Sequence, residues 1–230
     1  MKYDRVKLRP IIADAKPYPV DGLHTTRDYY RDVMALYEGN YTKPVQIGIP
    51  NLDEIYSIMP STFHCFTGIP NHGKSLFLDQ VLVSLAKKHD WSFAIYSPEH
   101  STPMHIRRMT QMVAKKAFDD GFTNRMSKDE LIEAMSFVND HFFFIEIPEV
   151  VPSIENILEV AKETVFKHGI NGLVIDPYNE VDARRSKNTR EDEHIRDFIS
   201  LCKKFCREHE AVCWVVAHPT KLPKSDSGGY

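Results

Sequence analysis

Residues 68–75 have the residue types and the spacing of a phosphate-binding loop. The pattern is G-x-x-x-x-G-K-S, and its residues are Gly68, Ile69, Pro70, Asn71, His72, Gly73, Lys74 and Ser75. An apolar run that predicts a strand precedes the loop, and a segment that predicts a helix follows it. In such loops the backbone N–H groups surround phosphates, the lysine reaches the β- and γ-phosphates, and the serine hydroxyl binds Mg²⁺. The sequence therefore predicts a site for ATP, or another nucleoside triphosphate, with Mg²⁺.

A second ligand for Mg²⁺ is predicted at Asp176. It follows the apolar run Leu173-Val174-Ile175, which predicts a buried strand. In P-loop proteins an acidic residue at the end of a neighbouring strand helps to hold Mg²⁺ beside the loop hydroxyl. Taken alone, an Asp after three apolar residues is more typical of a capped strand end. The phosphate loop upstream favours the ligand role, with Ser75 and Asp176 as the pair.

Glu99 is the predicted catalytic base. In many P-loop ATPases the carboxylate that activates water directly follows the magnesium Asp, but here Pro177 occupies that position. Glu99 instead follows the strand that comes after the loop helix, which is the RecA-like arrangement. A carboxylate at this point can take the proton from the attacking water. The alternative is an exposed loop residue without a catalytic role.

His218 directly follows the last predicted strand, which ends in Val215-Val216-Ala217. A polar side chain at this strand end would lie close to the γ-phosphate, where it could hydrogen-bond the phosphate and respond to its loss. A single His at a strand end is often structural, and that alternative stays open. The predicted catalytic residues are thus Lys74, Glu99 and His218.

The alternation of short apolar runs with longer amphipathic segments predicts the elements that position these residues. The predicted strands cover 62–67, 91–97, 141–147, 172–176 and 211–217. The predicted helices cover 28–37, 76–88, 102–117, 128–139, 154–167 and 191–209. Continuous apolar strands separated by helices indicate an α/β fold, a mostly parallel sheet with helices on both faces. The candidate groups then share the carboxyl edge of the sheet, where open α/β sheets bind ligands.

The composition excludes several classes of protein. The chain has 230 residues, of which 42% are hydrophobic, so it can build a sizeable core and is not disordered throughout. The net charge of −3 gives no global basic field, so any nucleic acid must be held by local loops. The apolar runs are far shorter than the ~20 residues that span a bilayer, and the chain does not begin with the apolar run of a signal peptide. We therefore expect no membrane partner.

The cysteines indicate a reducing compartment. Cys65, Cys202, Cys206 and Cys213 lie in apolar-periodic segments, without the spacing of a metal site. Two of them, Cys202 and Cys206, are one helical turn apart and could share a metal, but no nearby His or Cys completes such a site. We therefore expect free, buried thiols and an intracellular, cytoplasmic protein, in the cytoplasm of a bacterial host if a phage encodes it.

The first 40 residues are predicted to be an N-terminal arm with a helix, and residues 41–230 the core. Prolines make residues 1–24 an extended segment. The pair Thr25 and Asp28 predicts a reciprocal cap at the start of the helix. The apolar stripe of this helix needs a surface, either on its own domain or on a neighbouring subunit. The stripe consists of Tyr30, Val33, Met34 and Tyr37.

Three stretches resemble the helicase domain of Twinkle-type replicative helicases, of the plant-organelle and phage primase-helicase kind. These proteins belong to the hexameric, DnaB-like superfamily 4. The stretches are T-G-I-P-N-H-G-K-S at 67–75, G-L-V-I-D-P-Y-N-E at 172–180 and V-V-A-H-P at 215–219, and residues 48–53 resemble the entry to the domain. The resemblance covers roughly residues 17–221. It implies a RecA-like core whose hexameric ring couples NTP hydrolysis to 5′→3′ translocation on single-stranded DNA, with a primase as a possible partner.

The same resemblance implies where DNA and a neighbouring subunit would make contact. Two basic loops are expected to face the channel of the ring and to bind backbone phosphate without sequence preference. Their basic residues are Arg184, Arg185, Lys187 and Arg190 in the first loop, and Lys221 and Lys224 in the second. The alternative for each cluster is a solvated loop. The helix at 28–37 resembles the linker helix that docks on the adjacent subunit.

Two departures from the family shape the expectation for this chain. No primase or TOPRIM domain precedes the matching region, and the family continues past His218 with further sheet and an arginine finger. We therefore expect a C-terminally truncated helicase core that binds nucleotide weakly, hydrolyses it at a residual rate and does not unwind duplex DNA. Two other functions stay open. One is a RecA- or KaiC-like ring or filament ATPase that does not unwind, and the other is a truncated, non-hydrolysing regulatory subunit.

Overall fold

The computed structural model of the protein describes residues 21–40, 42–69, 71–148, 152–181 and 191–218. These residues form two compact units, one that ends at Thr42 and one that begins at Lys43. Residues 1–20, most of the predicted arm, lie outside the described residues. In the part of the chain that the structure describes, no helix has the length and apolar character needed to cross a membrane.

The described part of the first unit contains the helix α1 (Tyr30–Tyr37). It begins later than the predicted residue 28, because Asp28 takes part in a turn that precedes it. The backbone N–H and the hydroxyl of Thr25 both donate to the carboxylate of Asp28, at 2.6 Å and 3.0 Å. This is one half of the predicted reciprocal cap, and it closes the turn rather than the helix. No residue of α1 is buried.

The second unit is built on a five-stranded sheet with the strand order β1-β5-β4-β2-β3. Every neighbouring pair of strands is parallel. The strands are β1 (Phe63–Thr67), β2 (Phe93–Tyr96), β3 (Phe142–Phe144), β4 (Gly172–Ile175) and β5 (Val212–Ala217). Parallel neighbours need crossover connections, and helices supply them here. The predicted α/β class with a parallel sheet is confirmed.

The second unit contains one short helix that was not predicted, α2 (Pro50–Asp53), and five that agree with the predicted ones except at some ends. The five are α3 (Lys74–His89), α4 (Thr102–Ala114), α5 (Lys128–His141), α6 (Ile154–His168) and α7 (Glu191–His209). Helix α4 stops before the predicted residue 117, because Lys115 adopts a left-handed conformation with φ of 54°. Helix α5 extends to His141, whose Nδ1 atom lies 2.9 Å from the carbonyl of Trp91, so β3 is shorter than predicted.

Alternate residues of the strands build a core on each face of the sheet. In β5, Val212 and Trp214 face the core that includes α3, whereas Cys213 and Val215 face the core that includes α6 and α7. Gly172 in β4 makes room for the indole of Trp214, since a Cβ atom at this position would lie 2.4 Å from Cζ3 of the ring. Helices thus cover both faces, as the sequence predicts.

The cysteines are free, but not all of them are buried. Cys202, Cys206 and Cys213 lie in the core between α7 and β5. Cys65 is exposed, which corrects the prediction, because it lies on β1 at one edge of the described sheet. The thiol of Cys206 donates to the carbonyl of Thr62 at 3.3 Å.

Candidate nucleotide site

The phosphate loop connects the carboxyl end of β1 to the start of α3. Three residues of the loop have positive φ: Gly68 at 153°, Asn71 at 61° and Gly73 at 78°. Glycine adopts such conformations without steric cost, and Asn tolerates the left-handed region better than most residues. Gly73 is the N-cap of α3, and Lys74 is the first residue of that helix. The unpaired N–H groups at the helix start therefore lie at the loop, where they favour an anion.

Lys74 already extends across the loop. Its Nζ atom donates to the carbonyl of Gly68 at 2.9 Å and to that of Ile69 at 3.1 Å. An ammonium group has three N–H donors. Lys74 can therefore exchange these two carbonyl oxygens for phosphate oxygens by a rearrangement of its own side chain. The side chain is thus preorganised for the role that the sequence predicts.

Asp176 follows β4 and is 4% exposed. Burial raises the pKa of its carboxyl, a hydrogen bond with Ser75 opposes this, and the negative charges of Glu99 and Asp79 raise it further. Its Oδ1 atom has no hydrogen-bond partner among the described residues. A buried, unpaired carboxylate oxygen beside a serine hydroxyl is suited to a cation, so the two residues fit Mg²⁺.

The remaining ligands of Mg²⁺ would come from the nucleotide and from water. Within the described residues, no group of three or more His, Cys, Asp and Glu side chains could hold a metal ion. Mg²⁺ commonly binds through one or two protein ligands together with substrate phosphates.

Glu99 and His218 contact each other across the sheet. Glu99 lies three residues beyond the end of β2, and His218 directly follows β5. The Nε2 atom of His218 lies 3.1 Å from Oε1 of Glu99. The other ring nitrogen, Nδ1, is buried and has no partner among the described residues. The imidazole therefore offers its Nε2–H to the carboxylate that the sequence predicts to be the base.

Asn179 is a residue of the site to which the sequence analysis assigned no role. It lies in the 3-10 turn Tyr178–Glu180 after Asp176, and its Oδ1 atom accepts the backbone N–H of His218 at 3.1 Å. The same turn accepts the hydroxyl of Tyr96 at the carbonyl of Glu180, at 3.3 Å. The turn thus fastens the ends of β2 and β5 to the end of β4. Its residues are part of the D-P-Y-N-E stretch, which was a signal for the family but not for this contact.

The structure brings Lys74, Ser75, Glu99, Asp176 and His218 to the carboxyl edge of the sheet. Some predicted residues lie outside the described residues, and the structure says nothing of their placement. They are Pro70 in the phosphate loop and the predicted DNA-contacting residues Arg184, Arg185, Lys187, Arg190, Lys221 and Lys224.

Comparison with curated proteins identifies a relative. The chain is 37% identical over 228 residues to the protein "Twinkle homolog protein, chloroplastic/mitochondrial" of Arabidopsis thaliana, and the match covers 96% of this chain. The chain is a relative of the Twinkle homolog. It spans 32% of the length of that protein. No family model matches the chain.

Solved structures agree with the Twinkle relationship at the level of the fold. A solved ATPase domain superposes with a TM-score of 0.69 at 17% identity, covering 88% of this chain and 73% of that one. A DnaB-like replicative helicase, described with its interactions with primase, gives a TM-score of 0.66 at 16% identity, covering 93% and 52%. The predicted RecA-like P-loop core of the DnaB-like type is thereby confirmed as the fold of this Twinkle relative.

Proposed function

We propose that this chain is the ATP-hydrolysing core of a replicative DNA helicase. One observation carries the proposal: the phosphate loop with Ser75, the acid Asp176, the candidate base Glu99 and His218 converge at the ends of four parallel strands. This convergence supports nucleotide hydrolysis rather than nucleotide binding alone, because a candidate base and a candidate phosphate sensor accompany the ligands. The relationship to the Twinkle homolog supports DNA as the polymer on which the protein acts, with ATP hydrolysis as the source of energy.

Binding of the nucleotide would use groups that the loop already presents. Lys74 would transfer its donors from the carbonyls of Gly68 and Ile69 to the β- and γ-phosphates, and the N–H groups at the start of α3 would bind the same oxygens. Ser75 and Asp176 would hold Mg²⁺. Held there, Mg²⁺ would neutralise the negative charge that develops on the phosphate groups during hydrolysis.

Hydrolysis would use Glu99 as the base that takes the proton from the attacking water. In the structure His218 donates to this carboxylate, so the two groups are paired. The γ-phosphate is a competing acceptor for the imidazole N–H. When His218 turns to the phosphate, Glu99 is released to accept the proton of the water. Asn179 would keep His218 within reach of both partners through its hold on the His218 backbone.

The proposal extends to the assembly and its partners. Subunits would form a hexameric ring that moves 5′→3′ on single-stranded DNA, with a primase as a partner. The basic residues of 184–190 and 221–224 would contact backbone phosphate in the channel, and α1 would act as the linker helix between subunits. These parts rest on the relationship to the Twinkle homolog and on the basic residues of the two segments.

A hybrid protein tests the proposal. In it this chain replaces the matching third of the Arabidopsis Twinkle homolog, and unwinding is measured on forks with a 5′ or a 3′ single-stranded tail. We expect ATP-dependent unwinding of the 5′-tailed fork, and none when the hybrid carries Lys74→Ala. Hydrolysis that is independent of DNA, without unwinding, would favour a RecA- or KaiC-like ATPase. Absence of hydrolysis in a folded hybrid would favour a regulatory subunit.

A further inference from the structure

A buried polar cluster lies behind the candidate phosphate site. Asp79 is on α3, four residues after Ser75, and is 3% exposed. His105 on α4 is 2% exposed, and its Nε2 atom lies 3.0 Å from Oδ1 and 3.2 Å from Oδ2 of Asp79. The Nη2 atom of Arg108, one turn further on α4, lies 2.6 Å from Oδ2. A carboxylate, an imidazole and a guanidinium therefore meet between two helices.

Packing alone does not account for this cluster. A buried charge is costly unless it is paired, and replacing a buried ion pair by apolar residues of similar volume often leaves a protein equally stable or more stable. Among the described residues, Thr110 and Asp176 are the only other buried polar or charged side chains. The polar contact is therefore a costly way to join α3 to α4, and its position points to a use in the site.

The two joined helices belong to the two halves of the site. Helix α3 begins with Lys74 and Ser75, which would bind the phosphates and Mg²⁺. Helix α4 begins at Thr102, three residues after Glu99. A contact between the helices therefore links the segment that carries the base to the helix that carries the phosphate ligands. Asp79 and His105 are also within electrostatic reach of Asp176, since the charge of Asp79 raises and that of His105 lowers the pKa of this carboxyl.

We propose that Asp79 and His105 are positioning residues, whose buried contact holds Glu99 at the distance from the bound phosphates that water attack requires. The inference rests on the proposed ATP hydrolysis. Neither residue contacts substrate. Their contact fixes the start of α4, and with it the Glu99 segment, relative to α3. Loss of the contact would leave the phosphate loop intact and would displace the base.

The test separates nucleotide binding from water attack. In the purified chain, single-turnover hydrolysis of ATP is measured with the protein in excess, so that slow rates are accessible. His105→Leu should lower this rate about 10- to 100-fold, since a displacement of about 1 Å costs up to about 100-fold. Affinity for MgADP should change by less than about threefold, because the interactions that bind the ground state and the transition state equally are unaffected. Affinity for MgADP with fluoroaluminate, which mimics the attacked phosphate, should fall with the rate.

Rescue and a matched control complete the design. His105→Gln places an N–H donor close to the position of Nε2, so it should recover most of the rate. Asp79→Asn should show the same separation of rate from MgADP affinity as His105→Leu, and it serves if the leucine variant does not fold. The control is His141→Leu, which removes a hydrogen bond to Trp91 at the opposite end of the sheet and should leave the rate unchanged.

Several results would overturn the inference. Equal rates in His105→Leu and His141→Leu would show that the cluster has no role in positioning. Equal losses of MgADP affinity and rate would show that it supports the whole site. If the wild-type chain bound no nucleotide, the proposed function would fail and this inference with it. If the wild type hydrolysed ATP and His105→Leu matched it, only the positioning role would fail.

Discussion

The phosphate loop is shaped by its own backbone, whereas Glu99 and His218 are positioned by contacts between strands that are distant in the chain. The loop relies on positive φ at Gly68, Asn71 and Gly73 and on the start of α3. The reacting pair relies on a side-chain contact of 3.1 Å across the sheet and on the turn after β4. The shape of the loop is therefore determined by the local sequence, whereas the contact between Glu99 and His218 is determined by the order of the strands. Nucleotide binding and hydrolysis should therefore be separable by mutation.

The largest effect is expected for Glu99→Gln. Gln has nearly the same shape but cannot accept the proton of the water, and loss of a general base typically costs about 10²–10⁴ in rate. Affinity for MgATP should stay close to that of the wild type, because the loop and Asp176 are unchanged. Single-turnover hydrolysis and equilibrium binding on the same preparation measure the two quantities. Turnover near the wild-type rate would place the base elsewhere.

Lys74→Ala should show the opposite pattern, with loss of binding. A ligand that binds only the folded state stabilises it by about 2.7 kcal/mol when present at 100 times its Kd, and most of this stabilisation should disappear. The shift of the melting temperature by MgATP measures it. Lys88→Ala is the control, since Lys88 lies on the same helix, pairs with Asp53 at 3.9 Å and is remote from the loop. An unchanged shift in Lys74→Ala would contradict the assignment of the loop.

Asn179→Ala should give a smaller effect, restricted to the hydrolysis step in which Glu99 and His218 take part. It removes the acceptor for the His218 N–H, and a hydrogen bond of this kind is worth about 0.5–1.5 kcal/mol, which corresponds to about a tenfold loss of rate at most. Asn179→Asp keeps an acceptor oxygen and should recover activity. Steady-state kinetics report the change as a lower kcat with KM preserved. A raised KM with an unchanged kcat would instead assign the turn to nucleotide binding.

The smallest effect is expected for a substitution of His64. This residue lies at the amino end of β1, away from the phosphate loop and from the pair Glu99 and His218. Its Nδ1 atom lies 2.9 Å from the hydroxyl of Tyr56, its Nε2 atom 2.8 Å from that of Thr62, and burial lowers its pKa from 6.5. Because the folded state disfavours the charged ring, stability is full above the unfolded pKa of 6.5 and is lost as the pH falls through the lowered folded value.

Urea unfolding at several pH values measures this contribution. The chain contains other histidines, so the quantity of interest is the difference in free energy of unfolding between the wild type and His64→Gln. This difference should become smaller as the pH falls from about 7.5 to about 5.5, the range in which histidine titrates. The ratio of the hydrolysis rate to the nucleotide affinity should not change along with it. A difference that is constant with pH would show that His64 titrates alike in the folded and unfolded states.

The same contrast explains what the sequence could predict. The phosphate loop and Asp176 follow from local patterns, and α7 has the predicted bounds because its apolar periodicity is continuous. Strand ends were less accurate, because Trp91 before β2 and Ile145 and Ile147 after β3 are typical strand residues although they lie in flanking segments. The contacts of Asn179 and of His105 depend on which strands and helices become neighbours. No local pattern carries that information, since the partners are distant in the chain.

Gly172 and Trp214 show how neighbouring strands limit the paths of evolution. A methyl group at residue 172 would come within 2.4 Å of the indole, so an exchange there requires a smaller ring on β5. The order of the two exchanges then matters. Reduction of Trp214 first leaves a cavity, which costs stability but keeps the backbone in place. Enlargement of Gly172 first forces rigid strands apart. In related proteins in which both residues have been replaced, we therefore expect the tryptophan to have been replaced before the glycine.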